Sequence, residues 1–246
     1  LNASAAASLI GRKSGRDDHF GMEFVDVLAS CKKLKVAGIQ VDGIHCFGGS
    51  NSWSKNGLTI VEAMKECLPH MERELGYAIR VVNLGGGFSG VEEAEEYKVY
   101  SEAIHSIKEK YQIMHEAGRA VFRTAGVFVS RVTATKRIGH REYVVCDGGM
   151  AQNFLLCRTE AGVRFYSTPR HQPCRKNGGD ILESAKEVTV VGSSCNHQDV
   201  IGRIKKVERP IIPEDYMIFE NCGAYHSTYT VSPFLGLKPA IFYILP

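Results

Sequence analysis

The stretch that most constrains this chain is Arg80-Val81-Val82-Asn83-Leu84-Gly85-Gly86-Gly87-Phe88. A short apolar, β-branched run stops at three glycines, and a helix-compatible segment begins soon after. A parallel strand ends in this way where an anionic ligand must sit. Glycine has no Cβ, so its N–H can approach an anion closely and φ can turn positive. A helix N-terminus beyond the loop would add a positive dipole. Three glycines alone also suit a plain loop after a strand, so the surrounding pattern decides.

That pattern is rhythmic up to Gly126. Leu1 to Asp18 is mostly Ala, Ser, Gly and charge, and reads as loop. A helical stripe over Gly21–Lys35 uses Phe24, Val25, Val27, Leu28, Cys31 and Leu34. Val41–Phe47 reads as a buried strand closed by Gly48-Gly49-Ser50. Ile60–Leu75 is helical, with Val61, Met64, Cys67, Leu68 and Met71 on one face, and Pro69 should kink or divide it. After the glycine strand come a helix over Tyr97–Tyr111 and a strand over Gln112–His115, which runs into Glu116-Ala117-Gly118-Arg119. The order β-α-β-α-β predicts a parallel sheet or barrel. In both architectures ligands gather at the carboxyl ends of strands, where Phe47–Ser50, Gly85–Gly87 and Glu116–Arg119 fall.

Beyond Gly126 the rhythm changes. Val127–Thr135, Arg141–Cys146, Val163–Tyr166, Glu187–Val191, Tyr216–Glu220 and Ala240–Leu245 are short β-type runs parted by Gly, Pro and Asn. They predict a separate, mainly antiparallel β domain over 127–246, after an α/β domain over 1–126. The 30 basic and 27 acidic residues leave a net charge of +3, which implies neither a nucleic-acid nor a membrane partner. The 8 cysteines include no C-x-x-C pair, which suits a reducing, cytoplasmic compartment. No apolar run is long enough to span a bilayer, and no signal peptide opens the chain.

Taken together, Phe20-Gly21, Gly49-Ser50, Gly85-Gly86-Gly87-Phe88, Glu116-Ala117-Gly118-Arg119, Cys146-Asp147-Gly148-Gly149, Gly192-Ser193-Ser194-Cys195 with Asp199, and Gly223-Ala224-Tyr225 form one ordered set. In that order they resemble the fold-type III, pyridoxal-phosphate-dependent decarboxylases of ornithine, arginine and diaminopimelate. The resemblance implies α/β plus β architecture: the C-terminal portion of a (β/α)8 TIM-type barrel, then a mainly antiparallel β domain. It also implies a head-to-tail homodimer with shared active sites.

By position in the family's motifs, Glu116 is the carboxylate beside the pyridine nitrogen. A negative charge there favours the protonated ring, which accepts electrons from Cα. Gly85, Gly86, Gly87, Ser50, Arg119 and Tyr225 match the family's phosphate contacts, with arginine suited by its planar fork. Cys195 matches the acid that returns a proton to Cα in the partner's site, and Asp199 a carboxylate near the substrate.

Departures from the family pattern carry their own expectations. A stacking His is replaced by Phe47, which can stack on the ring without hydrogen bonding, and His45, two residues earlier and so on the same strand face, is read as a second-layer residue. Two aspartates that hold a distal ammonium in the ornithine enzymes correspond to Ser167 and Asn196, while Arg170 adds a cation nearby. A buried ammonium without counter-charge is costly, so the expected substrate is not a simple diamino acid. The lysine that carries the cofactor belongs to an early barrel strand that should precede Leu1, so the sequence is expected to be a piece of a longer protein. Two alternatives stay open: a non-catalytic relative that binds and regulates a partner, and an alanine-racemase-like activity, which Cys195 and Gly223-Ala224-Tyr225 fit less well.

Overall fold

The structure, a computed structural model, describes residues 1–13, 18–157, 167–174 and 187–245. It divides into two compact units, Leu1–Val121 and Phe122–Pro246.

In the first unit, helices alternate with strands: α1 (Ala3–Ser8), α2 (Phe24–Val36), β1 (Gly43–His45), α3 (Trp53–Leu75), β2 (Val81–Asn83), α4 (Ala94–Lys108), β3 (Gln112–Met114) and the short α5 (Gly118–Phe122). The three strands pair in parallel in the order β1-β2-β3, with His45, Asn83 and Met114 level with one another. Parallel pairing forces each return connection to cross over, and α3 and α4 supply the crossovers. The three strands therefore end at the same edge of the sheet.

Helix α3 is the first unit's main packing element. Ile60, Val61, Met64, Cys67, Leu68, Met71 and Leu75 are buried on it at helical spacing. The expected division at Pro69 does not occur, because the helix runs unbroken from Trp53 to Leu75. Proline in a helix interior costs about 3 kcal/mol, but Leu68 and Met71 on either side are fully buried and hold the turn in place. The helix stops at Gly76, whose φ of 70° is the left-handed cap that glycine adopts without strain. It starts earlier than its aliphatic stripe suggests, because Trp53 is buried against Phe88, Tyr97 and Tyr100.

The expected loop before Asp18 contains α1. Asn2 caps it by accepting from the Ser4 and Ala5 N–H groups at 2.8 and 3.1 Å. Alanine has the highest helix propensity but gives no pattern of large apolar residues, so this helix leaves little periodic trace.

The second unit is a six-stranded sheet in the order β6-β9-β4-β5-β7-β8, built from β4 (Phe128–Ile138), β5 (Arg141–Cys146), β6 (Arg170–Gln172), β7 (Val188–Val191), β8 (Val200–Ile204) and β9 (Tyr216–Phe219). All pairings are antiparallel except β5 with β7. Strand β4 pairs with β9 through Phe128–Arg131 and with β5 from Val132 onward, and its register shifts between Val132 and Ala134. Val132, Cys146, Val190, Ile201, Met217 and Phe219 form the core. Strands β6 and β8 escape the sequence pattern because β6 has only three residues, all polar, and Gly202 and Arg203 interrupt the apolar run of β8. The expected strand at Val163–Tyr166 lies outside the described residues. The expected strand at Ala240–Leu245 is a correction: no partner strand takes it up among the described residues, and its apolar side chains stand exposed, Ile244 at 97%.

Leu68→Ala should lower unfolding stability by roughly 2–5 kcal/mol, the cost of a cavity in a packed core. Denaturant titration checks this, and a loss under about 1 kcal/mol would show that the site collapses around the smaller side chain.

Candidate active site

At the strand ends of the first unit, three loops pack so closely that side chains are excluded. A Cβ on Gly86 would overlap the Glu116 carbonyl oxygen, and one on Gly87 would lie 2.5 Å from the Gly49 carbonyl oxygen. Gly85 sits at φ 68°, with the Phe47 backbone and ring against it. Backbone bonds tie the same loops together: Glu116 N–H donates to the Gly85 carbonyl at 2.9 Å, and Trp53 N–H to the Gly87 carbonyl at 3.2 Å. The N–H groups of Gly86 and Gly87 donate to no group among the described residues.

Glu116 stands at this edge, more than half exposed, and accepts a hydrogen bond from Asn83 Nδ2 at 2.7 Å. Asn83 in turn accepts from the Gly85 N–H at 2.8 Å. His45 Nε2 stands 3.8 Å from Glu116 Oε1, beyond hydrogen-bond reach. Strand β1 ends at His45, and the strand pleat therefore does not govern Phe47, which is half-buried. Ser50 is exposed in the turn before α3, and Arg119 lies on α5. The hydroxyl of Ser52, which the sequence did not single out, donates to the Gly48 and Gly49 carbonyls at 2.6 Å and fixes that turn.

Glu92 holds the turn that follows the glycine loop. Burial pushes its carboxyl up, but donation from the Ser89 N–H, its own N–H and the Ser89 and Tyr97 hydroxyls outweighs this and brings its pKa down to about 2. Asn83, Ser52 and Glu92 all went unread, because single polar residues in loops carry no periodic signal.

The second unit holds the other expected residues. Cys195 is exposed on the loop between β7 and β8. Asp199, expected near the substrate, lies behind the Cys195 loop. It is 3% exposed, and its oxygens accept from Met150 N–H at 2.8 Å and Ser194 N–H at 3.1 Å. The Cys157 thiol is 3.7 Å from the same carboxylate. A Cβ on Gly149 or Gly192 would collide with it. Asp199 therefore clamps the 146–150 loop to the Cys195 loop, which accounts for the Asp147-Gly148-Gly149 and Gly192 motifs in structural terms. Asn196 accepts from Gln198 N–H at 2.9 Å, an Asx-type turn that shapes the same loop.

Ser167 is half-buried, and its carbonyl accepts from Arg203 N–H at 2.9 Å. Arg170 is exposed on β6, where its guanidinium donates to Gln172 Oε1 at 2.9 Å and reaches Glu220 at 4.0 Å. Tyr225 is exposed with φ at 67°, uncommon for a bulky residue. Its carbonyl accepts from Tyr229 N–H at 2.8 Å. A Cβ on Gly223 would collide with the Phe122 carbonyl, so the chain before Tyr225 is pinned.

The first unit's donor set suits a phosphorylated pyridine: free glycine N–H groups and a serine hydroxyl for the phosphate, a phenyl ring, and a held carboxylate for a ring N–H. A family model described as pyridoxal-dependent decarboxylase, C-terminal sheet domain, matches residues 25–223. The chain belongs to the pyridoxal-dependent decarboxylase family.

Among its relatives is the diaminopimelate decarboxylase of Staphylococcus aureus, 25% identical over 94% of this chain and 55% of that protein. Another is the L-glutamyl-(BtrI acyl-carrier protein) decarboxylase of Niallia circulans, 24% identical over 92% of this chain and 54% of that one. The chain thus spans about half the length of the curated decarboxylases it matches. The arginine decarboxylase of Paramecium bursaria Chlorella virus bound to agmatine shares the fold, with a TM-score of 0.76 at 20% identity, over 94% of this chain and 62% of that one. So does the diaminopimelate decarboxylase of Helicobacter pylori complexed with L-lysine, with a TM-score of 0.68 at 19% identity, over 87% and 52%. No helix among the described residues is long and apolar enough to cross a membrane.

Two outcomes follow. A carboxylate whose folded pKa is depressed to about 2 stabilises above its ordinary value near 4.3, and that contribution is lost as pH falls toward 2. Thermal melts of Glu92→Gln against the unaltered protein should therefore converge as pH drops from 5 to 2; melts separated by a constant gap would contradict the role of Glu92. Asp199→Ala should cost about 2–4 kcal/mol, since buried N–H donors lose their acceptor. An unchanged denaturant midpoint would refute the clamp.

Proposed function

We propose that this chain forms part of a pyridoxal-phosphate-dependent decarboxylase acting at the α-carbon of an amino acid or an amino-acid-derived substrate. The observation that carries this reading is the convergence, at three parallel strand ends, of a glycine loop with unsatisfied N–H groups and a carboxylate held by hydrogen bonds. The three parallel strands are then part of a (β/α)8 barrel. The cofactor, when bound, supplies an electron sink for the carbon that loses its carboxylate.

The chain's own residues divide the remaining work. Gly86 and Gly87 N–H groups, Ser50 and Arg119 bind phosphate oxygens, and Tyr225 adds a hydroxyl. Phe47 offers a ring face and keeps water from one side of the site. Glu116 holds a proton at the ring nitrogen, because a carboxylate beside that atom favours its charged form. Cys195 delivers the proton that Cα needs after carbon dioxide leaves. In this reading Cys195 and Tyr225 serve the site of a second copy in a homodimer.

Ser167 and Asn196 are neutral, and Arg170 is a cation 4.0 Å from the Glu220 carboxylate. An ammonium at the substrate's far end would go uncompensated there. The substrate is therefore one whose distal end is neutral, acidic or tethered to a larger group. The relative that decarboxylates a glutamyl group on an acyl-carrier protein has such a substrate by its name.

The test competes ornithine, lysine, glutamate, diaminopimelate and a carrier-tethered glutamyl group in one decarboxylation assay of the whole protein with added cofactor. Glutamate or its tethered form should show the highest kcat/KM. Ornithine or lysine turned over best would overturn the substrate reading, and carbon dioxide release from none of them would overturn the activity.

A further inference from the structure

Asn83 occupies the end of the central strand and uses both halves of its side-chain amide. The carbonyl Oδ1 accepts from the Gly85 N–H at 2.8 Å, and the Nδ2 group donates to Glu116 Oε1 at 2.7 Å. The same loops are also joined by the Glu116 N–H bond to the Gly85 carbonyl at 2.9 Å and by a bond from His115 to the Gly85 backbone. The Glu116 N–H bond fixes its main chain, while among the described residues Asn83 alone reaches its carboxylate within hydrogen-bond distance, since His45 stands off at 3.8 Å.

A glutamate has three rotatable side-chain bonds, and this one is more than half exposed, so without a tether its carboxylate would sample many positions. A neutral amide donor restrains it without adding a charge that would compete for it. The same amide orients the first peptide of the glycine loop. One side chain thus sets the spacing between the two groups that must grip opposite ends of one flat ligand.

We propose that Asn83 is a positioning residue that aligns the Glu116 carboxylate with the Gly85–Gly87 loop for a phosphorylated pyridine. This rests on the functional reading given above. Its consequence is energetic coupling: the effect of Asn83 on cofactor affinity runs largely through Glu116 and disappears when that carboxylate or the ring nitrogen is absent.

The experiment is a double-mutant cycle read by fluorescence titration of the whole protein with pyridoxal phosphate. Asn83→Leu should weaken binding by about tenfold or more, the loss of a charge-assisted hydrogen bond. In a Glu116→Ala background the same change should cost less than about threefold. With a carbocyclic analogue that lacks the ring nitrogen, the unaltered protein and Asn83→Leu should bind nearly alike.

Asn83→Ala, which adds no bulk, replaces Asn83→Leu if the latter melts early. An equal penalty in both backgrounds would show that Asn83 serves only the loop, and would overturn the proposal while leaving the cofactor reading intact. If the unaltered protein takes up no pyridoxal phosphate, the functional reading fails and the role of Asn83 with it.

Discussion

The first unit depends on a distance too short for a side chain. Gly86 lies against the Glu116 carbonyl and Gly87 against the Gly49 carbonyl, so the loops after β1, β2 and β3 can close on one another only where Cβ atoms are missing. Any residue other than glycine would push the loops apart and separate the groups at the strand ends. The parallel sheet brings those ends to one edge, α3 presses the sheet's core, and the glycines set how near the loops approach. Polar side chains then lock the arrangement: Ser52 on the first loop, Asn83 between the second and third, and Glu92 in the turn that follows the glycines.

The second unit uses a different constraint, a buried carboxylate. Asp199 gathers N–H donors from two loops, and the glycines at 149 and 192 leave room for it. Burying a charge is costly unless donors surround it, and here the backbone of both loops supplies them. The result is a short, shaped loop that presents Cys195 outward. The chemistry proposed for this family member therefore also rests on residues behind the reacting groups, with Asp199 behind the Cys195 loop and Asn83 behind Glu116.

Much of this was legible in the sequence where periodicity or glycine carried the information. The alternation of stripes and β-branched runs located α2, α3, α4 and the three parallel strands, and the glycine clusters marked their ends. Three kinds of feature were not legible. Helix α1 is made of alanines, which have propensity without pattern. The run at Ala240–Leu245 has strand composition but no partner strand among the described residues, and composition does not supply a partner. Asn83 stood inside the quoted stretch and passed unnoticed, since only three-dimensional register places it between Gly85 and Glu116.

The account's central claim is that Glu116, held at the strand ends, keeps a pyridine ring nitrogen protonated. The most direct measurement is the nitrogen-15 chemical shift of ring-labelled pyridoxal phosphate bound to the whole protein, followed through neutral pH. The account predicts a protonated, pyridinium-type shift that does not titrate between pH 6 and pH 9, and its loss in Glu116→Gln. A neutral-pyridine shift in the unaltered protein, or a protonated one that survives Glu116→Gln, would contradict it.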